Sequence, residues 1–206
     1  MIAVRRRFRP IAEGRKQSMK RAPELRDLSD HHHQGLVQAR RLRRAASGEE
    51  APPLEETSEA FLEFWQEGTT AHFREEEEVL LPVLTRYGGE VGGEPVAEML
   101  AQHAQIRGLV MELSDELRNK ALMPETLQRI GELLEAHIRL EEREVFPKIE
   151  EVLAEEGLKE VADRLKVREA RPQAEPWIPK EGLSYEPWPG PGDSEGGGYD
   201  WPVSPV

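Results

Sequence analysis

His72-Phe73-Arg74-Glu75-Glu76-Glu77-Glu78-Val79-Leu80-Leu81-Pro82 and His137-Ile138-Arg139-Leu140-Glu141-Glu142-Arg143-Glu144-Val145-Phe146-Pro147 are two copies of one phrase. Both read H-x-R-x-E-E-x-x-x-[LF]-P with the same spacing. On a helix, residues four apart share a face. His72 with Glu76, and His137 with Glu141, therefore each offer an imidazole and a carboxylate to one point. That pair of donors suits non-haem iron, and also zinc and manganese.

The sequence around the two phrases has helical periodicity. Pro23 suits a first turn. Leu25, Leu28, His32, Leu36, Ala39 and Leu42 then predict a first helix over 23–46. Phe61, Trp65, Gly68, His72, Glu76, Val79 and Val83 form the inner stripe of a second, 54–86, which Pro82 should kink or end. Met99, His103, Ile106, Val110, Leu113 and Leu117 line a third from Pro95 to 119. A fourth over 124–154 carries Leu127, Ile130, Leu134, His137, Glu141, Val145, Ile149 and Val152 inside. Gly157 should break it, leaving a short fifth helix over 158–168. The expected fold is all-α: an antiparallel up-down-up-down four-helix bundle with a short C-terminal helix and disordered tails.

The expected divisions are a basic leader at 1–22, the bundle at 23–168 and a Pro/Gly/Trp-rich tail at 169–206. The leader has eight Lys/Arg against the single acid Glu13, a charge of +7 that leaves −19 for the rest. So acidic a bundle is a poor nucleic-acid binder. The leader reads as disordered, with Met19 as an alternative start. The tail repeats Glu-Pro-Trp at 175–177 and 186–188 and holds too little apolar surface to order alone; a protein partner for it is one expectation. The absence of cysteine excludes disulfides, zinc ribbons and thiolate catalysis. No apolar run approaches a membrane span and no signal-peptide core is visible, so a cytoplasmic protein without a membrane partner is expected.

A lone histidine on an apolar stripe is usually a hydrogen-bonded core residue. Here His32, His72, His103 and His137 recur on four inward stripes at matching heights, given ~1.5 Å of rise per residue. Two divalent ions would offset the cost of burying Glu76 and Glu141 between them. Within His31–His33, helical phase favours His32, because Leu28 and Leu36 lie four residues to either side. His33 is the fallback ligand, and His31 is expected to point outward or cap locally. Glu75 and Glu78 read as solvated, as do Arg74 and Arg139, and Glu77 as an outer partner of a ligand. The Glu-x-x-His of ferritin-type sites is absent, since Thr69, Leu100 and Leu134 stand three residues before His72, His103 and His137. Gly68 either leaves a small gas pocket lined by Trp65 and Ile106 or marks a close helix contact.

With these residues in place, the chain resembles the hemerythrin-like family of histidine–histidine–glutamate cation-binding domains over about residues 23–166. The resemblance implies a non-haem di-iron centre with oxo or hydroxo bridges. Its ligands would be the first-helix histidine, His72, Glu76, His103, His137 and Glu141, the two carboxylates bridging or capping the irons. The oxygen-carrying members have a second histidine four residues after the third-helix one, where this chain has Arg107. They also have an aspartate at i+5 where this chain has Glu141 at i+4. The chain is more similar to the four-histidine, two-glutamate subgroup, linked to iron or oxygen sensing, nitric-oxide response and iron–sulfur repair. The resemblance thus implies binding or sensing of a small diatomic ligand, peroxide or iron itself. The alternative is an enzyme that reduces peroxide or nitric oxide, or donates iron to a damaged cluster. No acid–base or nucleophile set stands outside the ligand residues, which favours binding.

Overall fold

The computed structural model describes residues 21–48 and 52–169, all-helical apart from turns, with no strand among them. The expected leader, except Arg21 and Ala22, and the expected tail, except Glu169, lie outside the described residues. Arg21 belongs to the bundle: it pairs with Glu142 at 2.7 Å and Glu150 at 3.1 Å.

The first rod is a 3-10 turn, Pro23–Leu25, that continues as α1, Arg26–Ala46. The second comprises α2 (Leu54–Phe64), α3 (Thr70–Glu75) and α4 (Leu81–Arg86), joined by π-helical turns at Trp65–Thr69 and Glu76–Leu80. The third is α5, Val96–Arg118. The fourth is α6 (Pro124–Leu140), a third π turn (Glu141–Val145) and α7 (Phe146–Glu169). α7 contains a break at Ala154 (φ 47°, ψ −163°). The chain therefore turns three residues before the expected Gly157, and 155–169 is the short fifth helix. Gly157 is instead a packing position: a Cβ there would sit 2.8 Å from that of Leu153.

Short links join rods that pack on their chain neighbours, and α1 closes the ring against α6. The link after α4 is set by Gly88, whose φ of 86° suits a residue without Cβ. Gly89 N–H donates to Leu84 O and Gly88 N–H to Thr85 O, which satisfies two orphan carbonyls.

The core falls into two apolar clusters. One, around Leu25, Leu28, Leu84, Met99, Phe146 and Ile149, includes Leu158 and Val161 of the fifth helix. The other is built on Leu42, Phe61, Ile106, Leu113, Leu127 and Ile130. His32 lies between Leu28 and Ala39 along α1, at the level where one cluster gives way to the other. No helix among the described residues is long and apolar enough to cross a membrane.

Candidate metal centre

All four rods send polar side chains into the layer between the apolar clusters. His32 comes from α1, His72 and Glu76 from the second rod, His103 from α5, His137 and Glu141 from the fourth. Each is at most 4% exposed, and Glu76, His103 and Glu141 are fully buried. Their atoms form two quartets, each with every ligand atom within 4.8 Å of the others: His32, His72, Glu76, Glu141, and Glu76, His103, His137, Glu141. The two carboxylates belong to both. His72 Nε2 lies 3.2 Å from Glu76 Oε1, and His137 Nε2 the same distance from Glu141 Oε1, so the two phrases repeat in space. Across helices, His103 Nε2 is 3.3 Å from Glu76 Oε2 and His32 Nε2 is 3.0 Å from Glu141 Oε2.

The sequence offered His32 and His33 as ligands of the first helix. The structure places His32 in the quartet and leaves His33 exposed, because His33 lies one residue further round α1. His31 departs from its expected outward position. Its ring is half-buried and stacked on His72, with centroids 4.7 Å apart. Glu78 is exposed, as is Arg139; Glu75 is half-buried.

Both phrases start a π turn at the site glutamate. Leu81 N–H donates to Glu76 O and Phe146 N–H to Glu141 O, each five residues back. The next residue is Pro82 in one case and Pro147 in the other. A proline has no N–H and its ring clashes with the carbonyl four residues earlier. Widening the turn by one residue just before it relieves that clash. A proline six residues after each glutamate was the sequence signal for these turns. Such turns are frequent at functional sites.

Outer partners orient the imidazoles. Glu77 Oε1 accepts from Nδ1 of His103 at 2.7 Å, and Arg107 grips both oxygens of Glu77 at 2.8 and 3.0 Å. In the second copy Glu142 Oε1 accepts from Nδ1 of His32 at 2.7 Å, and Ser29 and Arg21 donate to the same carboxylate. Gln102 Oε1 lies 3.2 Å from Nδ1 of His137. Each Glu-Glu pair thus divides its work: the first carboxylate enters the quartets, the second braces a histidine on a neighbouring rod. Sequence reading found Glu77 but missed Glu142 and Gln102. The equal place of Glu142 in the repeated phrase was the available clue.

These contacts set the local charge. Burial pushes His32 down, but Glu141 and Glu142 outweigh it and raise the imidazole to about 10. His103 rises to about 9 against its burial, through Glu141 and Glu76. Burial lowers His137 to about 4. Burial pushes Glu76 up, but the neighbouring His72 and His103 hold it well below its ordinary value. Glu142 is held at about 2 by His32, Arg21 and Ser29 in spite of its burial.

The quartets fit divalent cations. Both oxygens of Glu76 and of Glu141, and Nε2 of His103 and His137, are buried and make no hydrogen bond of acceptable geometry. Buried carboxylates in that state are costly. A cation held in either quartet would have two imidazole nitrogens and an oxygen from each shared carboxylate as its donors. Nitrogen and oxygen donors without sulfur suit iron, zinc or manganese.

Glu142→Gln and Glu77→Gln should each weaken metal binding by about 10–100-fold, the usual effect of losing an outer-shell partner. Competition with a chromophoric chelator reads this. Unchanged affinity in both variants would show that the imidazoles need no bracing.

The family model described as the hemerythrin HHE cation binding domain matches residues 24–149. No curated protein and no solved structure matches the chain.

Proposed function

The chain belongs to the hemerythrin HHE cation-binding family, and from that premise we propose that it holds two non-haem iron ions and binds or senses a small molecule such as oxygen, nitric oxide or peroxide, or iron itself. The observation that carries this reading is the pair of buried quartets sharing Glu76 and Glu141. Two shared carboxylates suit two ions side by side, each with two histidines of its own. Iron so held supplies redox chemistry and exchangeable coordination positions.

The chain's own residues do the rest. His32, His72, His103 and His137 present Nε2, while Glu142, Glu77 and Gln102 hold the rings of His32, His103 and His137 from behind. Phe73 stacks on His103 at 3.8 Å and Phe146 on His32 at 5.3 Å, which keeps bulk water from two of the ligands. Arg107 cannot coordinate, because its guanidinium stays charged, and it is committed to Glu77. The cavity beside the quartets is about 10 Å³, room for one water-sized molecule. That favours a diatomic ligand over a bulky substrate.

Nitric oxide, peroxide and air, added in turn to the iron-loaded, reduced protein, test the reading. The expected result is a change in the visible spectrum with at least one of them. After air, vacuum should not restore the reduced spectrum. A loaded protein indifferent to all three would make the iron structural; full recovery over repeated cycles would make the protein an oxygen carrier.

A further inference from the structure

We propose that the rings of His31 and Phe64 form the door through which a small uncharged molecule reaches the quartets. The destination of that molecule rests on the reading above; the door itself does not. The cavity of about 10 Å³ is walled in part by His32, His72 and His137, so it touches both quartets. Its lining comprises ten residues, of which eight are buried. The two that also reach solvent are His31 and Phe64. They stack face to face, with centroids 5.5 Å apart and planes 10° from parallel. The molecule's way in therefore runs past this pair of rings.

Gly68 shapes the frame. A Cβ there would stand 2.7 Å from Cε1 of His31, so the ring lies close against the second rod where glycine leaves room and would have to shift for any side chain. Of the two readings the sequence left open for Gly68, the structure gives the close contact, made with His31; Trp65 and Ile106 do not line the cavity. One weak latch holds the ring: His31 Nε2 and Thr69 Oγ1 are 3.5 Å apart, long for a hydrogen bond. Stacking between Phe64 and His72 and one long contact make a closure that a rotamer change can open. The remaining wall is apolar or already committed. Gly35, Phe73, Leu134 and Ile138 favour an uncharged occupant over an anion.

The test uses the full chain in two states. In metal-free protein, dissolved dioxygen serves as a paramagnetic probe of the Leu134 and Ile138 methyl resonances. His31→Ala should raise their oxygen-induced relaxation well above wild type, whereas His31→Phe, which keeps a ring in place, should not. In iron-loaded protein, stopped-flow association of nitric oxide should be about tenfold faster in His31→Ala and near wild type in His31→Phe, at equal iron content; on-rates within a mutant series commonly span such a range. Equal relaxation and equal association in wild type and His31→Ala overturn the door. Absence of iron in wild type overturns the proposed function alone, since the relaxation experiment still decides the door.

Discussion

Glu141→Ala should leave a bundle that retains no more than a trace of tightly bound metal. Glu76→Ala should do the same. Each carboxylate belongs to both quartets, so one substitution removes an oxygen donor from both. It also unbalances the charge around His32 and His103, whose raised values depend on these carboxylates. Glu78→Ala is the matched control, because that side chain is exposed. Metal content by mass spectrometry should fall from about two ions per chain to near zero in the first two variants and stay unchanged in the third. Similar loss in all three would mean that the helical phase of the acidic run has been misread.

The second large effect concerns the seam between α1 and α6. A Cβ on Gly131 would lie 2.7 Å from the backbone oxygen of Ala39 and 3.4 Å from the amide nitrogen of Arg43. Backbone atoms cannot swing aside as a side-chain tip can. Gly131→Leu must push the helices apart, at a cost of about 3 kcal/mol of overpacking strain, against roughly 1 kcal/mol regained in helix propensity. A net loss of about 2 kcal/mol lowers the thermal midpoint by roughly 4–8 °C in a domain of this size. Gly108→Leu, with nothing within 4 Å of its Cβ, should not destabilise. A Gly131 variant as stable as the wild type would show that the seam is looser than described.

The fold was legible in the sequence because the inward stripes are long and each link carries its own stop signal. The i, i+4 pairs were legible for the same reason: His72 with Glu76 and His137 with Glu141 are neighbours along one helix, so periodicity alone brings them together. What periodicity cannot give is rotation of one rod against another. Glu142 faces His32, 110 residues away in sequence, and the repeated phrase marks Glu142 but not its partner. Gln102 lies one residue before His103 yet serves His137 on another rod. His31 needed knowledge of the notch at Gly68 on a different helix. The π turns shift the phase by one residue. Leu81, five residues after Glu76, is consequently buried beside the expected Val79 and Val83, because the widened turn rotates the rest of the rod. A constant 3.6-residue repeat drawn through Glu76 cannot anticipate that.

The decisive measurement is the metal content of the full chain, purified without an affinity tag from cells grown with ample iron. The quartets predict about two iron ions per chain, removed together when Glu76 or Glu141 is replaced. Protein that is folded by circular dichroism but holds neither iron nor any other transition metal would mean that the quartets are not a metal centre.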